Sequence, residues 1–180
     1  KKVFWGKGIG ANTAKIGELC FNTSQTGYQE ILTDPSYNRQ IITFTFPHIG
    51  IVGVNNVDLE SKKIFASGCV LNQNIDHFSS WRSKTNIESF FEQHDTPCIT
   101  NIDTRQLTRI LASNGAMKAA IINFNENEDK LKNINKQLSD WSGLENLDLA
   151  SLISTKNLYK SSEGLWDIKK DSYTQINNQI

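Results

Sequence analysis

The hydrophobic period of this chain changes once, near residue 85, and that change constrains the fold more than any single motif. Before about residue 80 the pattern is strand and turn. "KVFWG", "LCFNTS", "QIITFTF" and "KIFASGCVLN" are short runs rich in Ile, Val, Phe and Thr, bounded by Gly, Pro and Asn. "IITFTF" mixes continuous and alternating apolar positions, as in a strand covered on at least one face. Between two of these runs lies "GYQEILT", a short helical turn, followed by "TDPSY". There Pro35 presets φ for the second turn position and Asp34 can bond the backbone ahead of it.

After about residue 85 the period is helical. Thr85 and Glu88 form a capping box ahead of Ile87, Phe90, Phe91 and His94 at i, i+3, i+4 and i+7. "TPCIT" reads as a buried strand. Asp103 with Gln106 caps a helix that turns Leu107, Ile110 and Leu111 inward and stops at Asn114-Gly115. "AMKAAIINF" returns as a strand, a helix over about 126–139 carries Leu131, Ile134 and Leu138, and Asp148 caps "DLASLIS". Strands first, then alternating helices and strands, predict a mixed α/β domain with layered sheets. Beyond about residue 155 the text is polar and aperiodic, which reads as a linker or extended arm.

With 180 residues the chain suits one ordinary domain and an appended segment, burying roughly two-thirds of its unfolded surface. Nineteen basic and nineteen acidic residues cancel without any block of one sign, which argues against electrostatic binding of nucleic acid or an anionic membrane. Cys20, Cys69 and Cys98 are odd in number and follow no metal or disulfide spacing, so they read as reduced, mostly buried thiols of a cytoplasmic protein. No apolar run is long enough to span a bilayer, and "KKVFWGKGIG" lacks the apolar core of a signal peptide.

The chain offers no self-sufficient catalytic set. An activated thiol needs a base in reach or a helix N-terminus beneath it, whereas Cys20 and Cys69 lie mid-strand and Cys98 follows Pro97 in an apolar run. His94 falls on an apolar stripe, His48 sits in a turn after "FTFP", and His77 lies in the polar "NIDHFSS". No H-x-x-x-H or clustered carboxylates call for a metal. The glycines of "GKGIGAN" match no phosphate-cradling loop and read as a strand-flanking turn. Arg105 and Arg109, at i and i+4, share one helix face that is either solvated or meets a partner. What stands out is "FNTSQTGYQEILTDPSYNRQ", residues 21–40, a surface of hydroxyls and amides without a histidine.

That stretch also carries a resemblance. "GELCFNTSQTGYQEILTDPSYNRQIITFTFPHIGIVGVN" (17–55), with "ITNIDTRQLTRILASNGAMKAAII" (99–122) and "GLENLDLASLIS", closely resembles the N-terminal domain of the small subunit of glutamine-dependent carbamoyl-phosphate synthetase. The resemblance implies an α/β fold of a three-layer swivelling β/β/α type over residues 1–150. Residues 151–180 are then a linker toward a class I glutamine amidotransferase domain absent from this sequence. In that family the amidotransferase domain carries the catalytic Cys, His and Glu, so no catalytic residue is expected among residues 1–180, and none of Cys20, Cys69 or Cys98 takes that role.

By position in "TDPSYNRQ", Ser36 matches the family serine that contributes to the L-glutamine pocket. A turn held by Asp34 and Pro35 presents a hydroxyl that both donates and accepts, suited to the α-amino and α-carboxylate groups of glutamine. Tyr28, Gln29 and Tyr37 are expected behind it or at an interface. The family partner is the synthetase large subunit, where ATP and Mg are expected. There, ammonia from glutamine meets carboxyphosphate, and carbamoyl phosphate for arginine and pyrimidine synthesis results. No cofactor or metal is expected on this domain. The alternative is a stand-alone partner-binding module without glutaminase activity.

Overall fold

The computed structural model describes residues 2–123 and 128–176, so the first positions of the helix expected at 126–139 lie outside the described residues. It divides into two compact units between Leu147 and Asp148. In the first, β1 (Lys7–Gly10), β2 (Ala14–Asn22), α1 (Tyr28–Thr33), a 3-10 turn (Pro35–Tyr37) and β3 (Gln40–Phe44) come first. β4 (Gly68–Val70), α2 (Ile87–Gln93), β5 (Pro97–Thr100), α3 (Thr104–Asn114), β6 (Met117–Ile122) and α4 (Glu128–Asp140) follow. The class is mixed α/β, as the change of period predicts.

The strands form one six-stranded sheet in the order β1-β5-β4-β3-β2-β6. β2, β3, β4 and β5 run parallel, while β1 and β6 are antiparallel edges. The sheet is curled: Asn123, just past β6, donates through Nδ2 to the carbonyls of Ile9 at 3.0 Å and Ala11 at 2.9 Å. One side chain thus bridges the chain ends of both edges, and unpaired edge groups are satisfied rather than exposed.

Alternation along β3 feeds two cores. Ile42 and Phe44 join Tyr28 and Leu32 of α1 and Ile87, Phe90 and Phe91 of α2. Ile41 joins Leu19, Val70 and Ile121 with Leu107 and Leu111 of α3. Each such side chain, once buried, contributes about 1.5–3 kcal/mol. Apolar burial therefore fixes where α1 sits, and the polar residues on α1 decide what it holds.

Three local expectations differ from the structure, each for a tertiary reason. The edge strand forms on "KGIG" instead of "KVFWG". A Cβ on Gly8 would lie 1.9 Å from Asn123 Oδ1, so only glycine lets that backbone pass beneath the bridging amide. The cap of α2 is Asn86, which accepts from the Ser89 N–H at 2.8 Å, in place of Thr85. Thr85 is held extended by backbone bonds with Val54 in both directions. "KIFASGCVLN" yields only a three-residue strand, β4. The caps read at Asp103, bonded to the Gln106 N–H at 2.8 Å, and at Asp148, bonded to the Ser151 N–H at 3.0 Å, are present.

In the second unit α5 (Leu149–Ile153) precedes β7 (Glu163–Asp167) and β8 (Ser172–Gln175), which pair antiparallel with Trp166 opposite Tyr173. The segment expected as an arm therefore contains a hairpin. Its turn is begun by Asp167, whose carboxylate accepts from the Lys169 N–H at 2.9 Å and whose carbonyl accepts from the Lys170 N–H. No helix among the described residues is long and apolar enough to cross a membrane.

Candidate functional site

The polar stretch between β2 and β3 separates into a buried half and an exposed half. Tyr28, Gln29 and Thr33 of α1 are buried and face inward. The Tyr28 hydroxyl donates to the Gly53 carbonyl. Gln29 clasps Asn55 twice, donating from Nε2 to its carbonyl and accepting its N–H at 3.0 Å. Thr33 Oγ1 donates to the Gln29 carbonyl at 2.9 Å and accepts the Glu60 N–H at 3.0 Å. These side chains satisfy backbone groups of the loop after β3 that its bridge, Val54 with Thr85, leaves over. Gly53 allows that loop to turn: its φ is +69°, and an added Cβ would strike Ser83 Oγ at 1.9 Å.

Thr23, Ser24, Gln25, Thr26 and Ser36 make the exposed half. Asn22 closes the first loop by accepting the Ser24 N–H at 2.8 Å, and it donates from Nδ2 to the Tyr37 hydroxyl at 3.0 Å. That second bond ties the end of β2 to the 3-10 turn. Within the turn Asp34 Oδ1 accepts the Ser36 N–H at 2.8 Å, with Pro35 at its first position. Backbone bonds from Tyr37 to Asp34 and from Asn38 to Pro35 complete it. Ser36 is thereby fixed by its backbone, while its hydroxyl bonds to no described residue. A rigid turn holding a free hydroxyl outward can recognise a ligand without losing much side-chain entropy.

Of the thiols, Cys20 borders this stretch and donates to Gln40 Oε1 at 3.8 Å, while the other two lie deeper in the sheet. Cys69 and Cys98 are fully buried neighbours on β4 and β5. Burial, with Cys69 alongside, pushes the Cys98 thiol well above its ordinary range. Burial, reinforced by Glu18, pushes the half-buried Cys20 thiol up to about 12. A thiol kept protonated is a poor nucleophile. Of the histidines, His94 ends α2 with its ring edge-on to Phe90 at 4.7 Å, and burial lowers its pKa. His48 is exposed and its Nδ1 accepts from the Gln73 amide at 2.8 Å, and His77 is exposed. None of them is bonded to a cysteine. Among the described residues no group of three or more His, Cys, Asp or Glu could hold a metal ion.

The sequence profile described as "Carbamoyl-phosphate synthase small chain, CPSase domain" matches residues 1–121. The chain belongs to the carbamoyl-phosphate synthase small-chain family. It is 40% identical over 178 residues to a carbamoyl phosphate synthase small chain of Zymomonas mobilis, covering 99% of this chain and 47% of that relative. It is 42% identical over 179 residues to the Buchnera aphidicola protein of the same name, covering 98% and 45%. With the Escherichia coli K12 protein it shares 42% over 165 residues, covering 92% and 43%. This small-chain sequence thus spans less than half the length of these curated relatives.

Against that family frame, Ser36 and Tyr37 share one turn, whereas Tyr28 and Gln29 turn into the domain and hold its loop. Arg105 and Arg109 are exposed on α3 and form no ion pair with any described residue. Sequence reasoning missed two residues that shape the surface. Asn55 is the clasp for Gln29, and its place at the end of "PHIGIVGVN" was the available signal. Arg82 grips Asp58 with both terminal nitrogens, at 2.9 and 2.8 Å, and locks the same loop from the far side. No local pattern announced that pairing.

Proposed function

We propose that residues 2–147 form the scaffold and docking half of the small subunit of glutamine-dependent carbamoyl-phosphate synthetase, folded as that family's swivelling β/β/α domain. The subunit hydrolyses glutamine and delivers ammonia to the large subunit, which makes carbamoyl phosphate from bicarbonate and ATP for arginine and pyrimidine synthesis. Ser36 supplies a hydroxyl to the α-amino or α-carboxylate end of L-glutamine. The nucleophile, its base and their carboxylate belong to an amidotransferase domain that follows.

The observation that carries this reading is the Ser36 turn: backbone fixed by Asp34, hydroxyl exposed and bonded to none of the described residues. A turn serine can bond the local backbone, but here Asp34 holds the turn, which leaves the Ser36 hydroxyl available to a ligand. The protonated, buried thiols support placing the chemistry elsewhere. The test is to express the full-length gene product with the large subunit and assay both association and glutamate release. Stable association with glutamate release, and no release from the 180-residue chain alone, is expected. Release by the 180-residue chain contradicts the reading, and association without release by the full-length product favours the partner-binding module.

A further inference from the structure

Asn22 ends β2, and the sheet sets its place: it stands opposite Phe44 in the parallel ladder, and its carbonyl accepts the Thr45 N–H at 3.0 Å. Its side chain then works in two directions. Oδ1 accepts the Ser24 N–H at 2.8 Å, which fixes which end of the amide is oxygen and leaves Nδ2 to donate to the Tyr37 hydroxyl at 3.0 Å. The first bond shapes the loop of Thr23, Ser24, Gln25 and Thr26, all exposed. The second reaches the turn that carries Ser36. Tyr37 is the other end of this tie. Its ring packs against the core that contains α1 and α2, so the ring anchors the turn and the hydroxyl sets its position against β2. The loop after β3 is held by other side chains, Tyr28, Gln29 and Thr33. The bond from Asn22 to Tyr37 therefore serves the exposed half of the stretch.

We propose that Asn22, acting through Tyr37, is a positioning residue for glutamine recognition: it joins the loop over 23–26 and the Ser36 turn into one wall fixed to β2. This rests on the reading that Ser36 meets L-glutamine. Ser36 is the chain neighbour of Tyr37, so a shift of that ring carries the serine hydroxyl with it. A recognition group displaced by about 1 Å loses much of its effect. Asn22 and Tyr37 need not touch the substrate, because what they supply is preorganisation of the group that does.

The experiment is steady-state kinetics of the full-length gene product bound to the large subunit, with glutamine and again with ammonia as nitrogen donor. The variants are Tyr37→Phe, Asn22→Ala, the two combined, and Ser36→Ala. Tyr37→Phe keeps the ring and removes only the acceptor for Asn22, so it isolates the tie and carries the test even if Asn22→Ala does not fold. For Tyr37→Phe a glutamine KM raised about three- to tenfold, the worth of one hydrogen bond, is expected. The kcat on glutamine and the ammonia-dependent rate are expected to stay unchanged. The combined variant is expected to match Asn22→Ala, because both single changes break the same bond. An unchanged glutamine KM in Tyr37→Phe, with or without a lowered urea midpoint, overturns the proposal. So do effects that multiply in the combined variant, or a raised KM in Tyr37→Phe with none in Ser36→Ala. A KM raised by Ser36→Ala and not by Tyr37→Phe defeats the positioning proposal alone. A KM raised by neither defeats the glutamine reading of Ser36 first.

Discussion

Gln29 and Ser36 lie in one polar stretch, on elements that follow one another directly, yet they serve opposite ends. Gln29 is buried and spends both ends of its amide on Asn55, while Ser36 is exposed and spends only its backbone N–H, on Asp34. The buried half of the stretch holds the loop after β3, and the exposed half is the part that the proposed function assigns to a ligand. Residue type does not separate the two halves, because amides and hydroxyls satisfy a loop as readily as a substrate. The separation follows from the face of α1: Tyr28, Leu32 and Gln29 point at the core, and the helix ends before Ser36.

If that division holds, changes in the buried half lower stability and leave glutamine recognition alone. The largest effect is expected for Gln29→Ala, which strands the N–H and carbonyl of Asn55 and costs about 2–3 kcal/mol. The urea midpoint measures it, with the glutamine KM of the assembled enzyme as the companion readout. A smaller loss, about 1–2 kcal/mol, is expected for Thr33→Val, which keeps the shape but leaves the Glu60 N–H without its acceptor. A raised glutamine KM in either variant, at unchanged stability, breaks the comparison.

Protonation sharpens it further. The Cys20 thiol titrates at about 12 in the folded chain and at about 8.5 when unfolded. Between those values the unfolded state holds fewer protons, so stability is complete below about pH 8.5 and falls as pH rises toward 12. Burial raises the Cys98 thiol and the Tyr28 hydroxyl too, with the same sign. Denaturation midpoints that hold or rise between about pH 8 and pH 10 contradict this account of the buried thiols.

Asp34→Ala joins the two halves, since it loosens the turn that holds Ser36. It is expected to cost about 1 kcal/mol and to raise glutamine KM, with Asp34→Asn restoring both because its side chain can still accept. The smallest effect belongs to the face outside this comparison. Arg105→Glu with Arg109→Glu should weaken association with the large subunit if α3 meets it, each charge contributing under about 1 kcal/mol. Unchanged affinity by titration leaves both as solvent-facing charges.

The same physics explains what the sequence could and could not disclose. Asp103 and Asp148 were legible as caps because a cap is made within four residues of itself. Thr85 was misread because its bonds go to Val54, about thirty residues away, and a distant pairing decided between two adjacent cap residues. "KVFWG" has strand composition, but the edge goes to the segment whose Gly8 fits under Asn123, again a distant partner. The hairpin that begins at Glu163 was legible in principle, since an aspartate turn separates "EGLWD" from "SYTQ". Its few apolar residues gave no periodic signal. For the site, the Asp34-Pro35 turn was readable, but the inward orientation of Tyr28 and Gln29 was not, because only the packed core reveals which way a six-residue helix faces.

The central claim is that the Ser36 hydroxyl faces glutamine while its backbone needs nothing from that hydroxyl. Its most direct test is steady-state kinetics of the full-length enzyme carrying Ser36→Ala, run with glutamine and again with ammonia as nitrogen donor. A glutamine KM raised tenfold or more is expected, since a tenfold change corresponds to about 1.4 kcal/mol and hydrogen bonds to charged groups contribute about 1.5–3 kcal/mol. The ammonia-dependent rate and the denaturation midpoint are expected to stay unchanged. An unaltered glutamine KM contradicts the account and returns Ser36 to the role of a turn residue.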